Sequence, residues 1–483
     1  MEEVGELPTP SRSPRLPTLL PYEVTPLREP ATLPSKFWLL HLDSKERSAL
    51  VATFAGWMLD GMDVMVYSFV LPTLILLWHI NKSQAGLLGT STLLLSSFGG
   101  WLAGLAADRF GRVRILRLTI VWFAVFTFLS GFTNTFNQLF IIRGLQGLGF
   151  GGEWAVGSVL IGETIRNKYR GRAVGTVQGG WAIGWGIAAL FYTVFFAVLS
   201  PNMAWRAMFW IGIAPALLAV YVRKHVQDPD IYSESKRSRT LPANVVRIHA
   251  PTGHSPTTHS NFIFLKIFSP GILRITALAS LVALGAQGGY YAINTWLPLY
   301  LNTRGLSVTH TGGYLLVVIL GSFTGYLVSA DLADRIGRKR TLILFAAGSA
   351  LSVFLYTIVP ISDTLTLFLG FPLGFFPSGS FSPLGAFFTE LFPTAIRGSA
   401  QGFSYNLGRG LGAFFPALVG YVALHLQLGH AISIFAVSAY LLMICGVLLL
   451  PETRGFDLEQ LGSEPSSGPC DIASANQEIW TSP

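Results

Sequence analysis

Five ionisable side chains interrupt otherwise apolar stretches of this 483-residue chain: Asp60, Asp63, Arg143, Glu153 and Arg409. A charge at the centre of an apolar layer costs at least ~2.5 kcal/mol, so each needs a compensating role. A buried carboxylate beside an arginine is pulled both ways, since burial favours its neutral form and the cation its anion. That balance suits a group that loads and unloads a proton. A guanidinium stays charged and grips a carboxylate through two parallel hydrogen bonds, which suits it to hold an organic anion. Asp60 lies about twelve residues into its apolar run, near the middle of a ~30 Å layer, and Asp63 one turn further on nearly the same face. Glu153 and Arg409 each lie about ten residues from an end of their runs, at similar depth. Arg143 sits nearer the outer end, and Gln146, Phe150 and Glu153 continue its stripe. By this chemistry Asp60, Asp63 and Glu153 are the candidates for a proton site, and Arg409, with Arg143 second, for an anion site. Structural ion pairs, Arg143 with Glu153 or Arg409 with Asp60, are the competing reading.

These residues need a membrane to make sense of their setting. The chain is 51% hydrophobic and 12% charged, about half the charge of a soluble protein. Its net charge of +8 is not clustered as a nucleic-acid groove requires. Cys445 and Cys470 form no disulfide framework and fit no metal spacing. Eight of the 27 prolines fall in the first 35 residues, which predicts a disordered tail over 1–45. The acidic start excludes a secretory signal peptide. Apolar segments of spanning length fall near 48–71, 84–107, 115–133, 139–162, 173–199 and 205–222. After a polar stretch over 223–274, six more follow near 275–300, 310–330, 341–360, 364–389, 399–424 and 429–450. With the N-terminus placed in the cytoplasm, 28 of 33 basic residues lie on inward segments and three (Lys82, Arg206, Arg304) on outward ones. One missed or extra span would destroy that asymmetry. The expectation is an all-α membrane protein of two six-helix bundles, 46–222 and 275–450, with a cytoplasmic central loop and a cytoplasmic tail over 451–483.

The halves repeat. Gly104-Leu-Ala-Ala-Asp108-Arg109-Phe-Gly111-Arg112 is matched by Ala330-Asp-Leu-Ala-Asp334-Arg335-Ile-Gly337-Arg338, with Asp108 and Asp334 226 residues apart. Glu163 and Arg170-Gly171 are matched by Glu390 and Arg397-Gly398, 227 residues downstream. A carboxylate at the end of a helix can cap a neighbouring helix N-terminus and pair with loop arginines. Such clusters can latch the halves together at the cytoplasmic side and release on rocking; a purely topogenic positive cluster is the plainer alternative. Ala330 replaces the glycine at position 104, a change expected to loosen close packing.

With Asp228-Pro229 and Pro451-Glu-Thr-Arg454-Gly455, these loops resemble the major facilitator superfamily over roughly residues 45–455. Arg143-Gly-Leu-Gln-Gly-Leu-Gly-Phe-Gly-Gly-Glu153-Trp154, Trp205-Arg206-Ala-Met-Phe and Tyr405-Asn-Leu-Gly-Arg409 resemble the sialate and monocarboxylate proton symporters. Asp60-Gly-Met-Asp63 resembles the aromatic-acid proton symporters. The resemblance implies proton-coupled uptake of a small organic anion by alternating access, in the plasma membrane (the bacterial inner membrane), by a functional monomer without cofactor or metal. An anion exchanger or an exporter on the same fold is the alternative; an intramembrane enzyme and a non-transporting sensor fit less well.

The seventh segment supplies Gln287, Gly288, Gly289, Tyr290, Tyr291, Asn294 and Trp296. The glycine pair is expected to allow a helix break and the polar side chains to face a central cavity. Packing aromatics are the alternative. This segment lacks the acid of the phosphate–proton symporters, and the fifth segment, with Gln178-Gly-Gly-Trp181, lacks the Gly-Pro of the drug antiporters. His249, His254 and His259, five apart, share no helix face. Gly147-x-x-x-Gly151 predicts close helix contact inside a bundle. No phosphate-cradling loop and no nucleophile–base motif occurs.

Overall fold

The computed structural model describes residues 38–225, 267–305, 308–360, 362–393 and 396–454. The side chains of Asp108, Arg112, Trp154, Glu163, Arg170 and some of their helical neighbours lie outside the described residues. So do most of the proline-rich tail, the central loop with its three histidines and Asp228-Pro229, and the chain from Gly455 onward.

The described residues form sixteen α-helices. The first group is α1 (Ser44–Trp78), α2 (Lys82–Phe110), α3 (Arg112–Ser130), α4 (Phe136–Thr164), α5 (Asn167–Val198), α6 (Pro201–Trp210) and α7 (Pro215–His225). The second is α8 (Pro270–Asn294), α9 (Leu297–Thr303), α10 (Val308–Ile336), α11 (Arg338–Thr357), α12 (Asp363–Gly379), α13 (Phe381–Leu391), α14 (Arg397–Gly412), α15 (Phe415–Val422) and α16 (Leu428–Leu448). Every apolar segment seen in the sequence is helical, and four are broken: α6/α7, α8/α9, α12/α13 and α14/α15. In each, a proline stands in the first turn of the second piece (Pro215, Pro298, Pro383, Pro416), where a missing N–H costs no hydrogen bond.

Two details refine the sequence reading. α1 begins at Ser44, ahead of the apolar run, because Asp43 and Glu46 form a reciprocal capping box. α8 runs unbroken through Gly288-Gly289, contrary to the expected break; the interruption comes at Thr295-Trp296, ahead of Pro298. The two glycines serve packing instead, since a Cβ there would press on the rings of Phe415 and Tyr440.

Eight helical stretches among the described residues are long and apolar enough to cross a membrane: α1, α3, α5, α8 with α9, α10, α11, α12 with α13, and α16. Two of the others, α4 and α14, carry the buried charges Arg143, Glu153 and Arg409.

Within the first group α1 packs on α5, and α2 and α3 on α4; within the second, α10 packs on α12, and α8 on α14 and α16. The groups meet along α5 against α10, and along α2 against α14 and α15. The Gly147/Gly151 pair does bring helices together: Cβ atoms there would strike backbone oxygens of Thr92 and Ser96 on α2. The internal repeat has a backbone signature. Gly111 (φ 101°) and Gly337 (φ 102°) hold the same positive dihedral at matched turns into α3 and α11. Only glycine adopts that conformation without strain, which is why the repeat keeps it.

Candidate functional site

The buried charges gather where α1, α4, α8 and α14 converge, in two clusters. In the first, Asp63 and Arg143 are both buried and form an ion pair of 3.5 Å. Gln146, one turn along α4 from Arg143, accepts from Arg143 Nη1 (2.7 Å) and donates to both Asp63 and the Thr127 hydroxyl (2.7 Å to Thr127). The guanidinium lies over the rings of Tyr67 (5.0 Å) and Phe209 (5.8 Å). Arg143 therefore pairs with Asp63, not with Glu153 as in the competing structural-pair reading.

In the second cluster Asp60 and Glu153, both buried, are direct neighbours. Glu153 Oε1 occupies the space over Gly56, one turn before Asp60, that a Cβ would fill. Neither Asp60 oxygen nor Glu153 Oε1 has a hydrogen-bond partner among the described residues. A proton shared between the two carboxylates would supply these oxygens with a hydrogen bond. Arg409 is the positive charge in Asp60's electrostatic surroundings. Three acids and two arginines leave one negative charge in excess at the bundle centre, which one bound proton would cancel.

Arg409 faces a cavity of about 330 Å³. Its Nε donates to Gln287 Oε1 (3.3 Å), and its guanidinium lies over Phe150 (5.1 Å) and Tyr405 (5.2 Å), while Nη1 has no partner among the described residues. Gln287 is itself fixed: its Nε2 donates to the Tyr405 carbonyl (3.0 Å) and its Oε1 accepts from the Tyr291 hydroxyl (3.2 Å). Aromatic rings make most of the remaining wall, with Trp57, Trp181, Tyr290 and Phe381 prominent. Trp57 and Trp181 stand 4.9 Å apart, and Trp181 Nε1 donates to the Tyr290 hydroxyl (2.7 Å), a bond joining α5 to α8 across the two helix groups. Gln178 adds the one uncharged amide of the lining. A chamber of aromatic faces with one guanidinium suits a flat organic anion: rings stack on its body and Arg409 takes its carboxylate.

A second cavity, of about 370 Å³, holds Arg143 and Asn294. Tyr290 and Tyr291 line both chambers. The sequence-predicted residues are thus divided: Arg409, Gln287, Tyr290 and Tyr291 at the first chamber; Arg143 and Asn294 at the second, with Gln146 buried behind Arg143; Asp60 with Glu153; Asp63 with Arg143. Sequence reading did not assign Trp57, Gln178, Trp181, Tyr326, Phe381 or Tyr405 to the wall. Trp57 and Trp181 had a signal, lying one turn from Asp60 and Gln178 respectively.

The described bonds of Arg338, Asp334 and Glu390 in the second-half loops lie within that half. Arg338 donates to Asp334 (2.7 Å), to the Ala333 carbonyl (2.7 Å) and to Glu390 (3.3 Å), and Glu390 accepts from Thr453 (2.5 Å). Glu452 caps α11, accepting from the Arg338 backbone N–H (2.9 Å), a role the sequence reading left unassigned. Arg335 pairs with Asp331 (2.8 Å), Arg397 donates to the Phe392 carbonyl (3.3 Å) and Arg109 lies against Phe110. In the first half Arg166 forms a double-contact pair with Glu46 (2.8 Å to each oxygen). Among the described residues nothing lies within 4 Å of a Cβ built at Gly104. At the opposite end, Lys82 Nζ donates to the Ala423 carbonyl (3.2 Å) and Thr90 to the Ala413 carbonyl (2.7 Å), both across the two groups.

The chain belongs to the Major Facilitator Superfamily, whose family model matches residues 53–415 and 315–483. It is 40% identical over 432 residues to a probable 4-methylmuconolactone transporter of Cupriavidus pinatubonensis, covering 89% of this chain and 96% of the relative. It is 30% identical over 415 residues to the cis,cis-muconate transport protein of Acinetobacter baylyi, covering 85% and 96%. Its fold is that of the E. coli xylose transporter XylE in an inward-open conformation: TM-score 0.67, 19% identity, 86% of this chain and 99% of that one. The family and these relatives are transporters rather than enzymes, and the chain is an integral membrane protein with the all-helical architecture of that superfamily.

Proposed function

We propose that this chain is a proton-coupled symporter that carries a small, flat organic anion into the cell by alternating access. The observation that carries the reading is Arg409, with one nitrogen unpartnered, in the wall of an aromatic chamber and in the electrostatic surroundings of the Asp60–Glu153 pair. Asp60 and the substrate's carboxylate compete for one guanidinium. When a proton sits on the Asp60–Glu153 pair, Arg409 is free to take the anion. When the chamber opens inward and the proton leaves, Asp60 reclaims Arg409 and the anion departs. The relatives named for muconate and a muconolactone support an unsaturated or ring-shaped carboxylate. The aromatic wall favours such a body over the polyhydroxylated one of a sialic acid, which needs many hydrogen-bonding partners.

The same proposal includes twelve spans in two six-helix bundles (46–222 and 275–450), both termini in the cytoplasm, residence in the plasma membrane (the bacterial inner membrane) and function as a monomer. Bonds from Lys82 and Thr90 across the two groups support closure at the Lys82 end. The test is uptake of labelled benzoate, cis,cis-muconate and sialic acid into proteoliposomes under an imposed inward proton gradient. The expected result is accumulation of the flat acids that collapses with the gradient. Accumulation that ignores the gradient, or that follows a counter-anion instead, overturns proton symport.

A further inference from the structure

The Arg143 chamber has the same features as the Arg409 chamber. Arg143 is 2% exposed, its guanidinium is stacked between aromatic rings, and its Nε has no partner among the described residues. The space beside it, about 370 Å³, is bounded by Met65, Tyr67, Ser68, Thr92 and Thr295, a mixture of apolar surface and small hydroxyls. Tyr290 and Tyr291 border both this chamber and the Arg409 chamber. Its place along the bundle is also defined. Thr295 precedes the α8/α9 break, and Gly89 lies two turns along α2 from Lys82, so the chamber lies toward the end closed by the Lys82 and Thr90 bonds. The chamber lies between that closure and the two tyrosines.

We propose that this chamber is a second anion station, where the substrate's carboxylate rests on Arg143 before it passes Tyr290–Tyr291 to Arg409. The inference rests on the reading of the Arg409 chamber as the transport site. The station is the weaker of the two, because Asp63 and Gln146 already engage Arg143 from one side and leave only its Nε edge to a ligand. Weakness suits a station on a route, which must release what it receives. The Asp63–Arg143 pair also keeps the station neutral when empty, so no unpaired cation waits in an apolar space.

The two chambers can be read separately. Trp57 and Trp181 line the Arg409 chamber and, among the described residues, no tryptophan lines the other, so the part of the tryptophan quenching that Trp57→Phe/Trp181→Phe removes reports the first site. 4-Fluorobenzoate, followed by 19F NMR on purified full-length protein, reports both. The charge-balanced variant Asp63→Asn/Arg143→Gln is expected to raise the external KM for 4-fluorobenzoate uptake into right-side-out vesicles at least ~10-fold, the loss of one charged hydrogen bond. Its tryptophan quenching should be unchanged. Thr92→Leu, which fills the chamber without touching a charge, should raise KM in the same direction. In Arg409→Ala, that part of the quenching should disappear while a weaker 19F-detected binding survives, and adding Thr92→Leu should remove it. An unchanged external KM in both chamber variants, or no residual 19F binding in Arg409→Ala, overturns the second station. Full quenching in Arg409→Ala overturns the first-site reading instead, and leaves the Arg143 result to stand or fall by itself.

Discussion

The two buried arginines sit one chamber apart and differ in what holds them. Arg143 is answered on the spot, by Asp63 at 3.5 Å and by Gln146, which also ties Asp63 to Thr127. Arg409 is held by Gln287 and two ring faces, and Nη1 is left without a partner. The acids divide as well: Asp63 is paired with Arg143 and leaves only Oδ1 without a partner among the described residues, whereas Asp60 has neither oxygen partnered there. All three acids and Arg143 lie in the first half of the chain; Arg409 is the second half's contribution. The lesson is that depth alone does not mark a working charge. A paired charge holds helices together, and an atom it leaves unpartnered is open to a proton or a ligand.

The comparison can be broken most forcefully at the carboxyl pair. Glu153→Gln removes the shared-proton site, and uphill uptake under a pH gradient should fall at least ~100-fold while substrate exchange across the membrane persists; proton-driven accumulation at wild-type level would move the proton site elsewhere. Next in size is the ion pair. Arg143→Gln alone strands Asp63 as a buried charge and should cost about 3–5 kcal/mol of stability, where Asp63→Asn/Arg143→Gln costs much less. Thermal unfolding in detergent measures both, and equal losses would mean the pair is not mutually compensating. At the other arginine, Arg409→Lys keeps the charge but loses the planar fork, and substrate affinity by tryptophan quenching should weaken about 10- to 100-fold. The smallest effect belongs to Trp181→Phe, which keeps a ring but deletes the donor to Tyr290. A buried interhelical hydrogen bond in a membrane protein is worth about 0.6 kcal/mol, so a roughly threefold change in transport rate is expected; a much larger one would make that bond part of the gate.

The fold was legible because its signals are collective. Length of apolar runs, the placement of basic residues and the 226-residue repeat each require many positions to agree, and the matched φ of Gly111 and Gly337 shows the repeat in backbone form. The charged site was legible residue by residue, since any ion inside an apolar run announces a reason for being there. Its wiring was not. Asp60 and Asp63 are one turn apart on the same helix, and which of them meets Arg143 depends on how α1 and α4 are rotated against each other. The aromatic wall escaped for a different reason: Trp57, Trp181 and Phe381 are apolar in an apolar setting, so nothing in their type separates cavity lining from packing. Gly288-Gly289 misled in the same way, because a glycine pair permits either a break or a close approach, and the rings of Phe415 and Tyr440 decide for the approach.

The account's central claim is that one anion moves with a proton held between Asp60 and Glu153. The direct measurement is the pH of a lightly buffered suspension of proteoliposomes after addition of cis,cis-muconate, with labelled substrate followed in parallel. The wild type should make the medium alkaline as label enters, and Glu153→Gln should exchange label with no pH change. Equal alkalinisation by the variant, or entry of label into wild-type liposomes at constant external pH, would contradict the account.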